Sequence, residues 1–293
     1  MKFWQKVALI VGILFLFIII GSGIMMWVLE SAGISIEDIR SPQESTFTDA
    51  QVSQLKLAFG LNHFVSFVCS GFVLVFLFSK GKWQEYTGAY RAFNFQLFLK
   101  FLALLMLSYP IFSAIILTFQ NLPLPEWANQ MDSQNLGTLE QLLTMDSPLD
   151  FVINLIIIAL FAGIGEELIF RGVVQKELYR YVRPAYAIII SATIFGLFHF
   201  EVTGLIPKII IGGIMGFAYY LTSNLVYPIL IHITNNATQV VLLYFSGVEL
   251  GAEGTTPEPS LTVALLTGLI FTPIVYFYGR HIYQNHNLNG QDT

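Results

Sequence analysis

Charge is what this 293-residue chain has least of: only 11% of residues are Asp, Glu, Lys or Arg, whereas 55% are hydrophobic. A water-soluble domain of ordinary composition carries about 25% charged residues, so that class is excluded at the outset. With 14 basic side chains and a formal net charge of -5, the chain offers no basic surface to a nucleic acid. Its one cysteine, Cys69, rules out an intramolecular disulfide and dithiol redox chemistry, leaving packing as its expected role. No internal repeat and no low-complexity tract is visible. The first apolar run follows Lys2 and Lys6 as a secretory signal would, but it lacks a small-residue cleavage site and is expected to stay as a membrane span.

What is present is a series of long apolar runs. Reading for stretches of about 20 apolar residues gives spans near Val7 to Leu29, Leu57 to Ser79, Phe95 to Phe119, Phe151 to Phe170, Ala185 to Phe200, Ile206 to Leu221, Leu225 to Tyr244 and Leu261 to Tyr278. The fold class is therefore all-α, a polytopic membrane helical bundle of about eight transmembrane helices. Pro110 is expected to kink the third span. The basic residues, apart from Arg40, Lys56 and Lys208, cluster on one side of this topology, which predicts that both termini are cytoplasmic. Acidic residues gather on the other side, in the loops holding Glu30 to Asp49, Glu126 to Asp150 and Glu249 to Glu258. The division that follows is an N-terminal set of helices and outer loops at 1–149, a core at 150–245 and a last helix with a cytoplasmic tail at 246–293.

Within the core sit side chains that hydrocarbon tolerates poorly. An ionised residue at a helix centre costs about 2.5–3.5 kcal/mol, yet Glu166 and Glu167 are adjacent, and His199, His232 and Asn236 lie deep in other spans. Glu167 and Arg171 are four apart with the acid first, the favoured order for a helical ion pair. Glu166, about 100° round the helix, is then free to face a cavity. Phe195 and His199 share one helix face, as do His232 and Asn236. A carboxylate, two imidazoles and an amide arriving from three helices can supply a base, a proton shuttle and neutral donors for an oxyanion. Their depths match only if the membrane edge lies near Lys176 and Ile188, so a helical hairpin protruding into the cytoplasm is predicted within Arg171 to Ala187. Asn62 and His63 could line the cavity, but are read first as a buried hydrogen-bonded pair; Gly212, Gly213 and Gly216 are read as a packing face, and His281 and His286 as part of a polar tail.

The segments EELIFR at 166–171, FGLFH at 195–199 and HITNN at 232–236 resemble, in order and spacing, the E-E-x-x-F-R, F-x-x-x-H and H-x-x-x-N motifs of the CPBP intramembrane proteases. That family includes CAAX prenyl endopeptidases of the Rce1 type and bacterial Abi or bacteriocin-processing proteins. The turn at Thr222 to Pro228 is similar as well, and the resemblance covers about 150–245. It implies an intramembrane endopeptidase acting on membrane-associated peptides or proteins. Glu166 would activate water, His199 carry a proton, and His232 with Asn236 bind the oxyanion. Phe195, Glu167 and Arg171 would support the site.

No cofactor is the favoured reading. Zinc held by Glu166, His199 and His232 is the other, because two histidines, a carboxylate and water can form an open catalytic site. Against it, the chain has no H-E-x-x-H, and Asn236 is a poor zinc ligand. The expected partners are a peptide or protein substrate and the lipid bilayer, and the expected location is a bacterial plasma membrane. A non-enzymatic bacteriocin-immunity or scaffold protein of the same fold is the alternative function. A transporter would show inverted repeats, and none is visible.

Overall fold

A computed structural model describes residues 2–40, 47–246 and 259–289, and among them there is no strand. The acidic loop expected at Glu249 to Glu258 lies outside the described residues. Helices begin where side chains can satisfy free backbone N–H groups. Thr48 Oγ1 accepts from Gln51 N at 3.3 Å while Gln51 Oε1 accepts from Thr48 N at 3.1 Å. Asn94 Oδ1 accepts from Leu97 N at 3.0 Å, and Ser147 Oγ accepts from Asp150 N at 3.2 Å, with Pro148 in the first turn. These are N-caps, each satisfying a donor that the helix itself cannot. They open α3 (Asp49–Ser79), α5 (Phe95–Gln120) and α7 (Pro148–Leu178), which follow α1 (Phe3–Ser31), short α2 (Ile36–Arg40) and, after α3, short α4 (Trp83–Thr87). A surface helix, α6 (Glu126–Leu143), lies between α5 and α7, and the chain continues through α8 (Pro184–Leu197), α9 (Leu205–Thr222), α10 (Val226–Ser246) and α11 (Leu261–Asn289).

Among the described residues, six helices are long and apolar enough to cross a membrane: α1, α3, α5, α7, α9 and α11 in the order above. The other two expected spans are present as the shorter apolar α8 and as the 21-residue α10, which carries His232, Asn235 and Asn236. Trp4 and Trp27 are exposed near the two ends of α1. Their separation of 23 residues corresponds to ~35 Å of helix, the placement of interfacial tryptophans. Phe15, Leu16 and Ile19 between them are also exposed, as lipid-facing side chains are.

Two boundaries differ from the expected ones for a physical reason. The fourth span does not stop at Phe170 but runs on to Leu178, because the charge of Arg171 is neutralised inside the bundle. A turn at 179–183 then leads to Pro184, so the predicted hairpin is seen as helix, turn and helix. Its tip is tied to α1 by Lys6–Glu177 at 2.5 Å and by Phe3 packed edge-on against Tyr181, ring centroids 4.7 Å apart. The expected polar tail is instead the end of α11, where the His286 Nε2 lies 2.9 Å from Leu221 O. Pro110 lies within a continuous helix.

The main apolar core joins α3, α5, α7, α8, α9 and α10 through residues such as Leu74, Phe101, Leu105, Phe170, Phe195 and Met215. Two glycines let its centre close. A Cβ on Gly163 would stand 2.5 Å from Ile233 Cγ1 in α10, and one on Gly165 would stand 2.8 Å from the Phe67 and Val68 backbone in α3. Any larger residue would push these helices apart, so α7 is gripped on two sides immediately before Glu166. At the turn that follows α4, Gly88 adopts φ 71°, and a Cβ there would meet the Ser223 carbonyl. Leu225 N donates to Thr87 O at 2.9 Å beside it, docking the 80–94 segment on the turn that precedes α10.

Candidate active site

The six-residue α-helical stretch Ala162–Glu167 lies between two π-helical stretches, Leu155–Phe161 and Leu168–Gln175. Wide turns of this kind recur at functional sites because they re-aim side chains and loosen the backbone hydrogen-bond ladder. The adjacent carboxylates occupy different surroundings. Glu167 is fully buried and its Oε1 accepts from Arg171 Nη1 at 2.6 Å and from His232 Nδ1 at 3.1 Å. Arg171, equally buried, donates from Nη2 to Gly212 O at 2.8 Å and lies 4.7 Å from the centre of the Phe195 ring. Four residues on, Gln175 Nε2 donates to Gly216 O at 2.8 Å. The small-residue face expected on α9 therefore does two things: Gly212 and Gly216 admit the side chains of α7, and their carbonyls receive them. Gly213 faces open space.

Phe195 is the hub of the aromatic contacts. Its ring is 4.8 Å from His199 and 5.8 Å from His232, edge-on to both. His199 Nδ1 lies 2.9 Å from the Phe195 carbonyl. A carbonyl can only accept, so that nitrogen carries the proton and Nε2 keeps its lone pair. The same logic applies to His232: with Nδ1–H directed at a carboxylate, a neutral ring has no donor left at Nε2. A His232 in that arrangement could donate from Nε2 to an oxyanion only as an imidazolium.

Asn236 Nδ2 donates to Ile158 O, in the first π-helical stretch, at 2.9 Å, and its Oδ1 accepts from Asn235 Nδ2 at 2.9 Å. Asn235 Oδ1 accepts in turn from the Tyr109 hydroxyl of α5 at 2.9 Å. One of the two amide N–H bonds of Asn236 remains. Thus Glu167, Arg171, Phe195, His199 and His232 form one cluster of direct contacts, while Asn236 hangs on a polar chain anchored by Tyr109.

Glu166 is buried, and its Oε2 has no hydrogen-bond partner. Its Oε1 lies 3.7 Å from Nε2 of His63, in α3. The Asn62–His63 pair expected from the sequence does not form. Asn62 Oδ1 accepts from Ser66 Oγ at 3.0 Å on the α1 side, whereas His63 turns toward α7 and stacks on Phe67 at 4.7 Å. No periodic signal separates these neighbours; close glycine contacts, Gly165 against Phe67 and Val68 and Gly71 against Gly165 and Leu168, bring α3 near enough. The Gly-Ile-Gly sequence ahead of the two glutamates was the available clue to that approach.

Elements outside the motifs also hold the loop after His199. Phe200 has φ 49°, a left-handed backbone unusual for a bulky residue. Asn135 Nδ2 of α6 donates to Phe200 O at 2.5 Å. Asp132 Oδ1 accepts from Val202 N at 2.7 Å, and its Oδ2 from Thr203 N at 2.9 Å and from the Thr203 hydroxyl. One side chain thus satisfies the irregular backbone leading into α9. For a metal, among the described residues no three His, Cys, Asp or Glu side chains are grouped to hold one. Glu166, His199 and His232 are not a ready zinc cluster here.

A family model described as type II CAAX prenyl endopeptidase Rce1-like matches residues 148–238. The match opens at the first turn of α7 and closes just past Asn236, so it contains all three motifs. It supports the CPBP family for this segment, and with it a protease and a multi-pass membrane protein. No curated protein and no solved structure matches the chain.

Proposed function

We propose that this chain is an intramembrane endopeptidase in which Glu166 takes a proton from water as the water oxygen attacks a peptide carbonyl. The observation that carries the reading is the asymmetry of the two glutamates. Each keeps one buried oxygen, Oε2, without a partner, but Glu167 is held through Oε1 by both Arg171 and His232, whereas the Oε1 of Glu166 comes no nearer than 3.7 Å to the His63 ring nitrogen. A carboxylate removed from water, unpaired and adjacent to an ion pair, is arranged to act as a base rather than to stabilise the fold. As the C–O bond forms, negative charge develops on the former carbonyl oxygen. The remaining Asn236 N–H and the Nε2–H of an imidazolium His232 would donate to it, at about 3–4 kcal/mol per well-placed donor. His199, with a free Nε2, would carry the proton to the leaving amine as the C–N bond breaks. The net charge of Glu166, Glu167, Arg171 and an imidazolium His232 is zero, which makes that combination tolerable in lipid.

The substrate class is peptide bonds of membrane-associated peptides or proteins, the location a bacterial plasma membrane with both termini in the cytoplasm, and the mechanism metal-free. Membrane-fraction peptides from cells expressing wild type and Glu166→Gln test this. Loss of ~10²–10⁴-fold in cleavage at unchanged membrane insertion is expected, and wild-type cleavage by the variant would end the proposal. Exhaustive chelation should leave activity intact; loss restored by zinc would replace the mechanism. A non-enzymatic immunity or scaffold role would instead survive Glu166→Gln in a partner-binding or protection assay.

A further inference from the structure

We infer that His63, outside the three motifs and outside the matched segment, is a positioning residue for Glu166, and this rests on the endopeptidase reading above. The geometry is specific. Among the described residues, the cationic or imidazole nitrogen within 4 Å of Glu166 is His63 Nε2, at 3.7 Å from Oε1. Both that nitrogen and Glu166 Oε2 are buried without a hydrogen-bond partner. The separation exceeds a hydrogen bond by under about 1 Å, and catalytic hydrogen bonds are often long before substrate binds.

The ring is held for this role from two directions. Phe67, one turn along α3, stacks on it at an interplanar angle of 20°. Gly165, next to Glu166, sits directly against the backbone of Phe67 and Val68, so the same contact fixes the ring's support and the carboxylate's helix. Closing by a few tenths of an ångström would let Nε2–H donate to Oε1. That would orient Oε2 toward the water and favour the ionised carboxylate. The proton taken from water still leaves with the amine; His63 sets the rotamer and basicity of the group that receives it first.

Other charged or titratable groups act on this pair: Glu167 and Arg171 from α7, His232 from α10 and Lys208 from α9 on Glu166, and His199 from α8 close to His63. A pH profile is therefore read as a difference between variants, not as one group's titration. The test uses full-length protein in proteoliposomes of phosphatidylethanolamine and phosphatidylglycerol. The probe is a quenched-fluorophore peptide selected by wild-type cleavage from a library of lipid-anchored peptides. His63→Phe keeps the stacked ring volume and removes the nitrogen, and His63→Gln restores a donor that does not titrate. The expected result for His63→Phe is kcat lower by about tenfold or more, less than for loss of the base itself, with KM unchanged. His63→Gln is expected to recover part of kcat with a shifted pH limb. Wild-type kcat and pH profile in both variants, with Glu166→Gln inactive, would overturn the His63 inference alone. Cleavage by Glu166→Gln, or a wild type that cuts nothing in the library, would overturn the endopeptidase reading and this inference with it. Should His63→Phe fail to insert, a His63→Gln protein of wild-type rate and pH profile still rejects the inference.

Discussion

The two glutamates of α7 belong to one region, the motif-bearing core, and the residues that reach toward them from α3, α5 and α6 belong to another, the N-terminal 149. The core is built from bonds among its own helices: Glu167 with Arg171 and His232, Arg171 with Gly212, Gln175 with Gly216. The N-terminal region supplies single polar side chains that finish what the core leaves open. Lys56, 2% exposed, donates to Thr144 O at 2.5 Å and to Asp150 at 2.6 Å at the start of α7. Tyr109 ends the asparagine chain, Asp132 and Asn135 hold the loop after His199, and His63 stands beside Glu166. On the function proposed above, the lesson is a division of labour in which the motifs carry the reactive groups and a helix set without motifs carries their orientation.

That division can be broken at graded points. The largest effect belongs inside the core: Arg171→Met leaves Glu167 buried without its full partner, and loss of one member of a buried ion pair costs about 3–5 kcal/mol. A steep fall in melting temperature in detergent is expected, and an unchanged one would mean that His232 alone suffices. Next is Asp132→Asn, which keeps the side-chain shape and weakens charge-assisted bonds worth about 1.5–3 kcal/mol each when lost outright. Faster proteolysis near Phe200 and reduced cleavage, with the bundle intact, are expected; cleavage at the wild-type rate would show that α6 only covers the site. The smallest is Tyr109→Phe, since interhelical hydrogen bonds in membranes average about 0.6 kcal/mol. It should lower kcat through Asn236 while barely moving the melting temperature, and a purely thermal effect would place Tyr109 in packing.

The sequence made the spans, the all-helical class and the Glu167–Arg171 pair readable because each depends on composition or on a four-residue spacing. Phe195 beside His199 was readable for the same reason. The bond from His232 to Glu167 was not, since no spacing rule links helices 65 residues apart. His63 was set beside Asn62 as a buried pair because adjacent polar residues in one helix invite that reading. They point to different neighbours, α1 for one and α7 for the other. The fourth span was drawn to Phe170, where the apolar run ends, whereas the helix continues through the Glu167–Arg171 pair to Leu178. Asp132 was legible only as one acid in a polar outer loop; its three bonds to the 202–203 backbone depend on tertiary placement.

The ties between the start of α1 and the turn at 179–183 have a practical side. Lys6 reaches Glu177, which Arg180 also contacts at 3.3 Å, and Phe3 lies against Tyr181. A fluorescent reporter or affinity handle joined at that end would press on the bend linking the first two motif helices. Fusions are better made elsewhere, and a crosslinker bridging positions 6 and 177 would give a simple read-out of whether the bend stays closed during turnover.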